Sequence, residues 1–273
     1  MAVPLNSGYT PSGAAKIYYE EVGTGRPVLF CHAGVTDRRM WDPQFDNPVL
    51  GHRYIRSDMR GFGNSEWVAE AYRSHADILA VIEHLDLDDV VLVGCSMGGK
   101  AAMEVTVAAP ERISGLVVIG AGEPGWEPPD GGYRPPQWDN LDPLWEAEDW
   151  DRLTEIDAEV WVVGVGRTRA ETSDGVFQKV IEMDRTPIMT ELDRDDYLGW
   201  MEPPIAERLD EISVPSLVVV GQYDLPDIVE GTDRLAKRIS DQSRVVIADA
   251  AHLPSFEQPD AFNPLLESFL GSF

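Results

Sequence analysis

The chain has 273 residues, 43% hydrophobic and 26% charged, which supplies one sizeable core and excludes a disordered or low-complexity protein. Its formal net charge is -26, with 48 acidic residues against 22 basic ones, so nucleic acid and anionic membrane surfaces are repelled and small neutral or cationic partners remain. Two cysteines, Cys31 and Cys95, are too few for a disulfide scaffold and suit a reduced cytoplasmic setting.

In chain order, Met1-Ala2-Val3-Pro4-Leu5-Asn6 lacks the basic and apolar parts of a secretory leader, and no run reaches the length of a membrane span. The expectation is a soluble cytoplasmic protein, monomeric or homodimeric. Ala15 to Val22 is rich in strand formers, and Gly23 to Pro27 turns it into the apolar run Val28-Leu29-Phe30-Cys31. These opening strands suggest an antiparallel edge. Further strands are predicted at Tyr54–Ser57, Val90–Val93, Gly115–Ile119, Ser216–Val220 and Val245–Ile247, each separated by helix-length segments. Continuous apolar strands alternating with helices imply a mostly parallel sheet covered on both faces.

The intervening helices have apolar stripes. Ala76, Leu79, Ala80, Ile82, Glu83 and Leu85 mark one, with His75 and His84 expected to face solvent; Ile228, Leu235 and Ile239 mark another, and Leu265, Leu266, Phe269 and Leu270 a third. Between them Val90 to Gly99 reads Val-Val-Leu-Val-Gly-Cys-Ser-Met-Gly-Gly, a buried strand that breaks at a G-x-S-x-G turn into a helix from about Met97 to Ala109. That turn is strained, and a Cβ at Gly94 or Gly98 would collide with nearby backbone. It raises the Ser96 hydroxyl above the sheet, and the amides of the following helix point at the same spot.

From Gly122 to Pro204 the alternation stops. This segment begins with a Pro- and Gly-rich run, continues with helical periodicity at Leu153, Ile156, Val160 and Val163, and holds six of the eight tryptophans. It reads as an inserted cap, with Trp126, Trp138, Trp145, Trp161 and Trp200 as candidates for a substrate pocket.

A serine hydroxyl needs a base, and the base needs an orienting acid. Asp224 follows the strand ending Val220-Gly221, and His252 follows the next strand; parallel sheets gather such residues at their C-terminal edge. Asp224 also suits a helix cap, with Asp227 as its competitor for the acid role. His32, after Val28 to Cys31, heads the loop His32-Ala33-Gly34-Val35. Its Gly34 or Val35 amide, with the amide of Met97, suits an oxyanion hole. His32 itself reads as a structural residue, with a place in the pocket as the alternative. Metal and nucleotide readings fail for want of ligand spacings and a phosphate-loop pattern, so neither metal nor cofactor is expected.

Ser96, Asp224 and His252 in that order, the His32-Ala33-Gly34 loop, the segment Asp58-Met59-Arg60-Gly61-Phe62-Gly63-Asn64-Ser65 and the ending His252-Leu253-Pro254-Ser255-Phe256-Glu257-Gln258-Pro259 together resemble the α/β-hydrolase fold family. Nearly the whole chain is covered. The ending resembles the capped esterases, lactonases and cofactor-free haloperoxidase-like enzymes, with 3-oxoadipate enol-lactone hydrolases the nearest in look. The resemblance implies a mostly parallel eight-stranded sheet with helices on both faces. A helical cap at 122–204 would follow the strand after the nucleophile helix, on a core of 1–121 and 205–273. Some relatives draw the acid from the position of Glu123. The loop has alanine where the family's pattern has glycine, and Met97 replaces the tryptophan of proline iminopeptidase-like relatives, which weakens a peptidase reading. Ser96 departs from the aspartate of dehalogenases.

The expected activity is a serine hydrolase acting on a carboxylic ester or lactone. Acidic residues outnumber basic ones in the cap, which favours a neutral or apolar substrate unless Arg134, Arg152, Arg167, Arg169 or Arg194 points inward. The rivals are carbon-carbon hydrolysis, perhydrolase or lyase chemistry on the same residues, and a non-catalytic binding protein.

Overall fold

The computed structural model describes residues 5–240 and 243–273, apart from the side chains at 192, 193 and 195. Residues 1–4, on which the leader reading partly rests, lie outside them. Eight strands form one sheet: β1 (Asn6–Ser12), β2 (Ala15–Gly23), β3 (Arg26–Cys31), β4 (His52–Ser57), β5 (Val90–Cys95), β6 (Ile113–Ile119), β7 (Ser216–Gly221) and β8 (Val245–Ile247). Their order is β1-β2-β4-β3-β5-β6-β7-β8. The β1–β2 and β2–β4 pairs are antiparallel and every pair from β3 to β8 is parallel, which gives the expected antiparallel edge.

Strand β1 escapes the sequence reading. Asn6, Ser7, Gly8 and Pro11 read as turn residues, yet a proline is tolerated on an edge strand whose outer side needs no ladder partner. The interior strands are apolar on both faces because both are covered. Leu29, Leu92, Leu116 and Val218 face one layer, packed under the helices Ser74–His84, Met97–Ala108 and Pro226–Ile239. Phe30, Val93, Ile119 and Val219 face the other. There Phe30 lies 5.1 Å from the Trp41 ring and 4.9 Å from Tyr54, and burying each such ring contributes about 2 to 3 kcal/mol.

The helix Ser74–His84 buries Asp77, Ile78, Val81 and Ile82, so the stripe predicted at Ala76, Leu79 and Ala80 is turned by about one residue. Asp77 causes the shift, since its carboxylate takes the Arg60 guanidinium at 2.8 Å and the Ser12 hydroxyl at 2.5 Å. A polar residue therefore occupies the inward face. His75 is likewise not open to solvent: its Nδ1 lies 2.9 Å from Glu104, and its side chain is 12% exposed.

Between β6 and β7 run the helices Asp142–Glu146, Trp150–Ala158, Asp174–Ile188 and Glu191–Tyr197. Ala158, Val162, Phe177, Val180 and Met183 from this stretch share one core with Phe262 and Leu266 of the last helix, Pro259–Leu270. No helix among the described residues is long and apolar enough to cross a membrane.

Candidate active site

Strand β5 ends at Cys95, and Ser96 turns the chain into the helix Met97–Ala108 with φ 52° and ψ -114°. A side chain at positive φ costs about 1 to 3 kcal/mol and persists only where the surroundings enforce it. Three backbone bonds do so here: Ser96 N to Ile119 O at 2.8 Å, Gly98 N to His32 O at 3.1 Å, and Lys100 N to Ser96 O at 3.0 Å. A Cβ on Gly94 would overlap the Gly98 carbonyl, and one on Gly98 would overlap the carbonyl oxygens of Cys31 and His32. Because those obstacles are backbone, Gly98→Ala is expected to lower the unfolding free energy by roughly 3 kcal/mol in denaturant titration.

His32 is fully buried, and its ring spans the loop: Nδ1 lies 2.8 Å from the Ala33 carbonyl and Nε2 accepts from the Met59 amide at 2.8 Å. Those partners assign the proton to Nδ1, and burial pushes its pKa down, which keeps the ring neutral. His32 does not line the cavity. Its work is to hold the loop whose next residues, Gly34 and Val35, line the cavity with Ser96 and Met97.

Asp224 and His252 leave the C-terminal ends of β7 and β8. His252 Nδ1 is 2.9 Å from both oxygens of Asp224, and the two residues are 2% and 4% exposed respectively. Asp224 also accepts from the Leu225 amide at 2.8 Å, so the capping and orienting roles coexist in one carboxylate. Asp227 instead accepts from the Tyr133 amide at 2.6 Å, and Glu123 is held by Arg234 and Arg238 at 2.8 and 3.0 Å. Neither competes for His252.

Two further features fix the His252 loop. Glu257, buried, accepts from the amides of Ala251 and Leu253 on either side of His252, at 2.9 and 3.0 Å, and from Arg167 at 3.0 Å. The helix Trp150–Ala158 widens into a π turn, Glu159–Val163, that ends at Gly164. This turn delivers the Trp161 carbonyl to the His252 amide at 3.1 Å and sets the indole 4.3 Å from the imidazole. Widened turns of this kind commonly mark functional sites.

Ser96 and His252 open on one cavity of about 540 Å³. Trp138, Trp145 and Trp161 wall it, with Leu153, Ile156 and Phe62. Trp126 and Trp200, expected there, are elsewhere: Arg234 stacks on Trp126, while Trp200 is 57% exposed beneath Lys100. Both indoles serve as platforms for cations outside the pocket. Of the five arginines named above, Arg134 and Arg194 line the cavity, whereas Arg152, Arg167 and Arg169 pair with Glu155, Glu257 and Asp174.

Three acids also line it: Asp157, Asp184 and Glu191. Asp157 and Asp184 belong to helices that pack on each other, and their carboxyl groups are hydrogen-bonded, which requires a shared proton. Burial first, then the neighbouring carboxylates, pushes both above the usual carboxylate range, while Arg194 pulls Asp184 back. The native pair thus keeps a proton that the unfolded chain releases near pH 4, so the pair costs stability as pH rises from there through neutrality. The double variant Asp157→Asn/Asp184→Asn is expected to be more stable than the parent by a few kcal/mol near pH 8. The gap should shrink toward zero near pH 4 in melting curves. The sequence reading missed this pair and the Glu257 clasp; the available signal was an acid at the inward phase of two amphipathic helices, and a glutamate within the ending after His252.

A model of the alpha/beta hydrolase fold matches residues 26–259. The non-heme haloperoxidase of Rhodococcus erythropolis is 29% identical over 96% of this chain and 98% of its own. A 3-oxoadipate enol-lactonase of Acinetobacter baylyi is 23% identical over 90% of this chain and 88% of its own. A thermophilic esterase from Thermogutta terrifontis superposes with a TM-score of 0.76 at 25% identity, covering 98% of each chain.

Proposed function

The chain belongs to the alpha/beta hydrolase fold family, and we propose that it is a serine hydrolase that cleaves a small carboxylic ester or lactone through an acyl-enzyme. One observation carries this reading: a strained serine and a carboxylate-bound histidine open on the same tryptophan-walled cavity. Likeness to an enol-lactonase and to an esterase over most of the chain supports ester or lactone cleavage.

In this mechanism the Ser96 oxygen attacks the substrate carbonyl while His252 takes the hydroxyl proton at Nε2. Asp224, bound to Nδ1, holds the ring and balances the imidazolium charge. The amides of Met97 and of Gly34 or Val35 receive the oxyanion, each donor lowering the barrier by about 3 kcal/mol. His252 then protonates the leaving oxygen, which departs as an alcohol, or stays tethered in a lactone. Water gives its proton to His252, adds to the acyl carbon and releases the acid and Ser96. The segment 122–204 acts as a cap whose indoles accept an apolar acyl chain.

The test is labelling with a fluorophosphonate followed by peptide mass analysis. The expected adduct is on Ser96, one per chain; labelling that survives Ser96→Ala removes the nucleophile assignment.

A further inference from the structure

We propose that Arg167 is a positioning residue for proton transfer, a clasp that sets His252 against Asp224 from outside the cavity; the inference rests on the serine hydrolase reading and deepens it. Arg167 does not line the cavity, so it cannot act on a substrate directly. Its side chain is only 6% exposed, and its guanidinium donates four hydrogen bonds. Nε binds the Val163 carbonyl at 3.0 Å and Nη1 the Asp249 carbonyl at 2.8 Å. Nη2 serves two acceptors, the Val162 carbonyl at 2.7 Å and Glu257 Oε2 at 3.0 Å.

Each of these contacts falls beside the groups that would move the proton. Val162 follows Trp161, whose carbonyl holds the His252 amide at 3.1 Å. Glu257 passes the restraint to the amides of Ala251 and Leu253, on either side of His252, at 2.9 and 3.0 Å. Asp249 has φ 55°, which costs energy in a residue with a side chain, and its carbonyl is held there by Arg167 and by Gln258 Nε2 at 2.9 Å. The guanidinium carbon also lies 4.7 Å from the centre of the Tyr223 ring, next in sequence to Asp224. One planar cation thus joins the π turn, the histidine loop and the acid's loop. Only arginine suits this place, because its donors fan out in a fixed plane, whereas an ammonium offers three from a single point.

The experiment uses two variants. Arg167→Lys keeps the charge beside Glu257 and loses the planar fork. Arg167→Met/Glu257→Gln removes both charges, so no buried carboxylate is left uncompensated, and the glutamine oxygen still accepts from both amides. Turnover of 4-nitrophenyl butyrate and labelling by a fluorophosphonate are followed at a temperature where circular dichroism shows the folded state. In both variants kcat should fall by about tenfold to a hundredfold with KM within about threefold, since displacing a reacting group by about 1 Å costs up to 10²-fold. Labelling should still reach one per chain, at a rate reduced in proportion, because every molecule is competent and ill-aligned. A smaller loss of kcat in either variant, or labelling of a reduced fraction at the parent rate, overturns the proposal and leaves the hydrolase reading standing. If the parent neither turns over the ester nor takes the label, the hydrolase reading fails, and proton NMR of the His252 Nδ1–H, assigned by its loss in His252→Gln, decides the clasp. A downfield resonance in the parent that is broadened or lost in both variants supports it; one that is unchanged, or absent from all the proteins, overturns it.

Discussion

Ser96→Gly is expected to abolish ester turnover while raising the melting temperature. Removing the nucleophile of a serine hydrolase costs roughly 10⁴ to 10⁶ in kcat, because proximity to a base is useless without an attacking oxygen. Ser96→Ala should lose as much. The two variants part company in stability, since alanine keeps a Cβ at φ 52° and glycine does not. Relief of about 1 to 3 kcal/mol of backbone strain exceeds the roughly 0.5 to 1 kcal/mol of added chain entropy, so glycine should gain a few degrees and alanine little. Initial rates and calorimetric melting on the three proteins give the answer. Turnover above about 1% of the parent rate in either variant would move the nucleophile elsewhere.

Asp224→Asn should cost about 10⁴ in kcat with little loss of stability. The side-chain oxygen of asparagine still accepts from the Leu225 amide, now bonded at 2.8 Å, which turns the amide nitrogen toward His252 Nδ1. That nitrogen can only donate, and the neutral amide no longer balances an imidazolium charge, so the ring takes a proton from Ser96 far less readily. Steady-state rates beside a melting curve distinguish this from unfolding. A variant within about tenfold of the parent would show that the orienting charge comes from another residue, and the pairing of Glu123 with Arg234 and Arg238 argues against that candidate.

The sheet and the strand ends at Ser96, Asp224 and His252 were legible because buried parallel strands are continuous apolar runs and the turns after them carry distinctive residues. Legibility fell wherever polar residues face inward. Asp77 disguised the phase of the helix Ser74–His84, and β1 hid among turn formers because an edge strand needs little apolar surface. The cavity wall was the least readable part: five indoles were equivalent as letters, and only packing separated the three that line the cavity from Trp126 and Trp200. Asp157 and Asp184 are 27 positions apart and meet only because their helices pack together.

The π turn at Glu159–Val163 makes the region that would choose the substrate and the histidine proposed to move its proton a single mechanical unit. The backbone of Trp161 holds the His252 amide while its indole walls the cavity. Gly164 leaves no room for a Cβ beside Tyr223 and Ala251, and the Val165 amide bonds the Tyr223 carbonyl at 2.8 Å. Segment 122–204 is therefore not an interchangeable module. A chimera that imports a foreign lid at the ends of that segment would carry away the rest on which the imidazole leans. Recombination that keeps residues 159–165 together with 221–224 and 249–257 would preserve it.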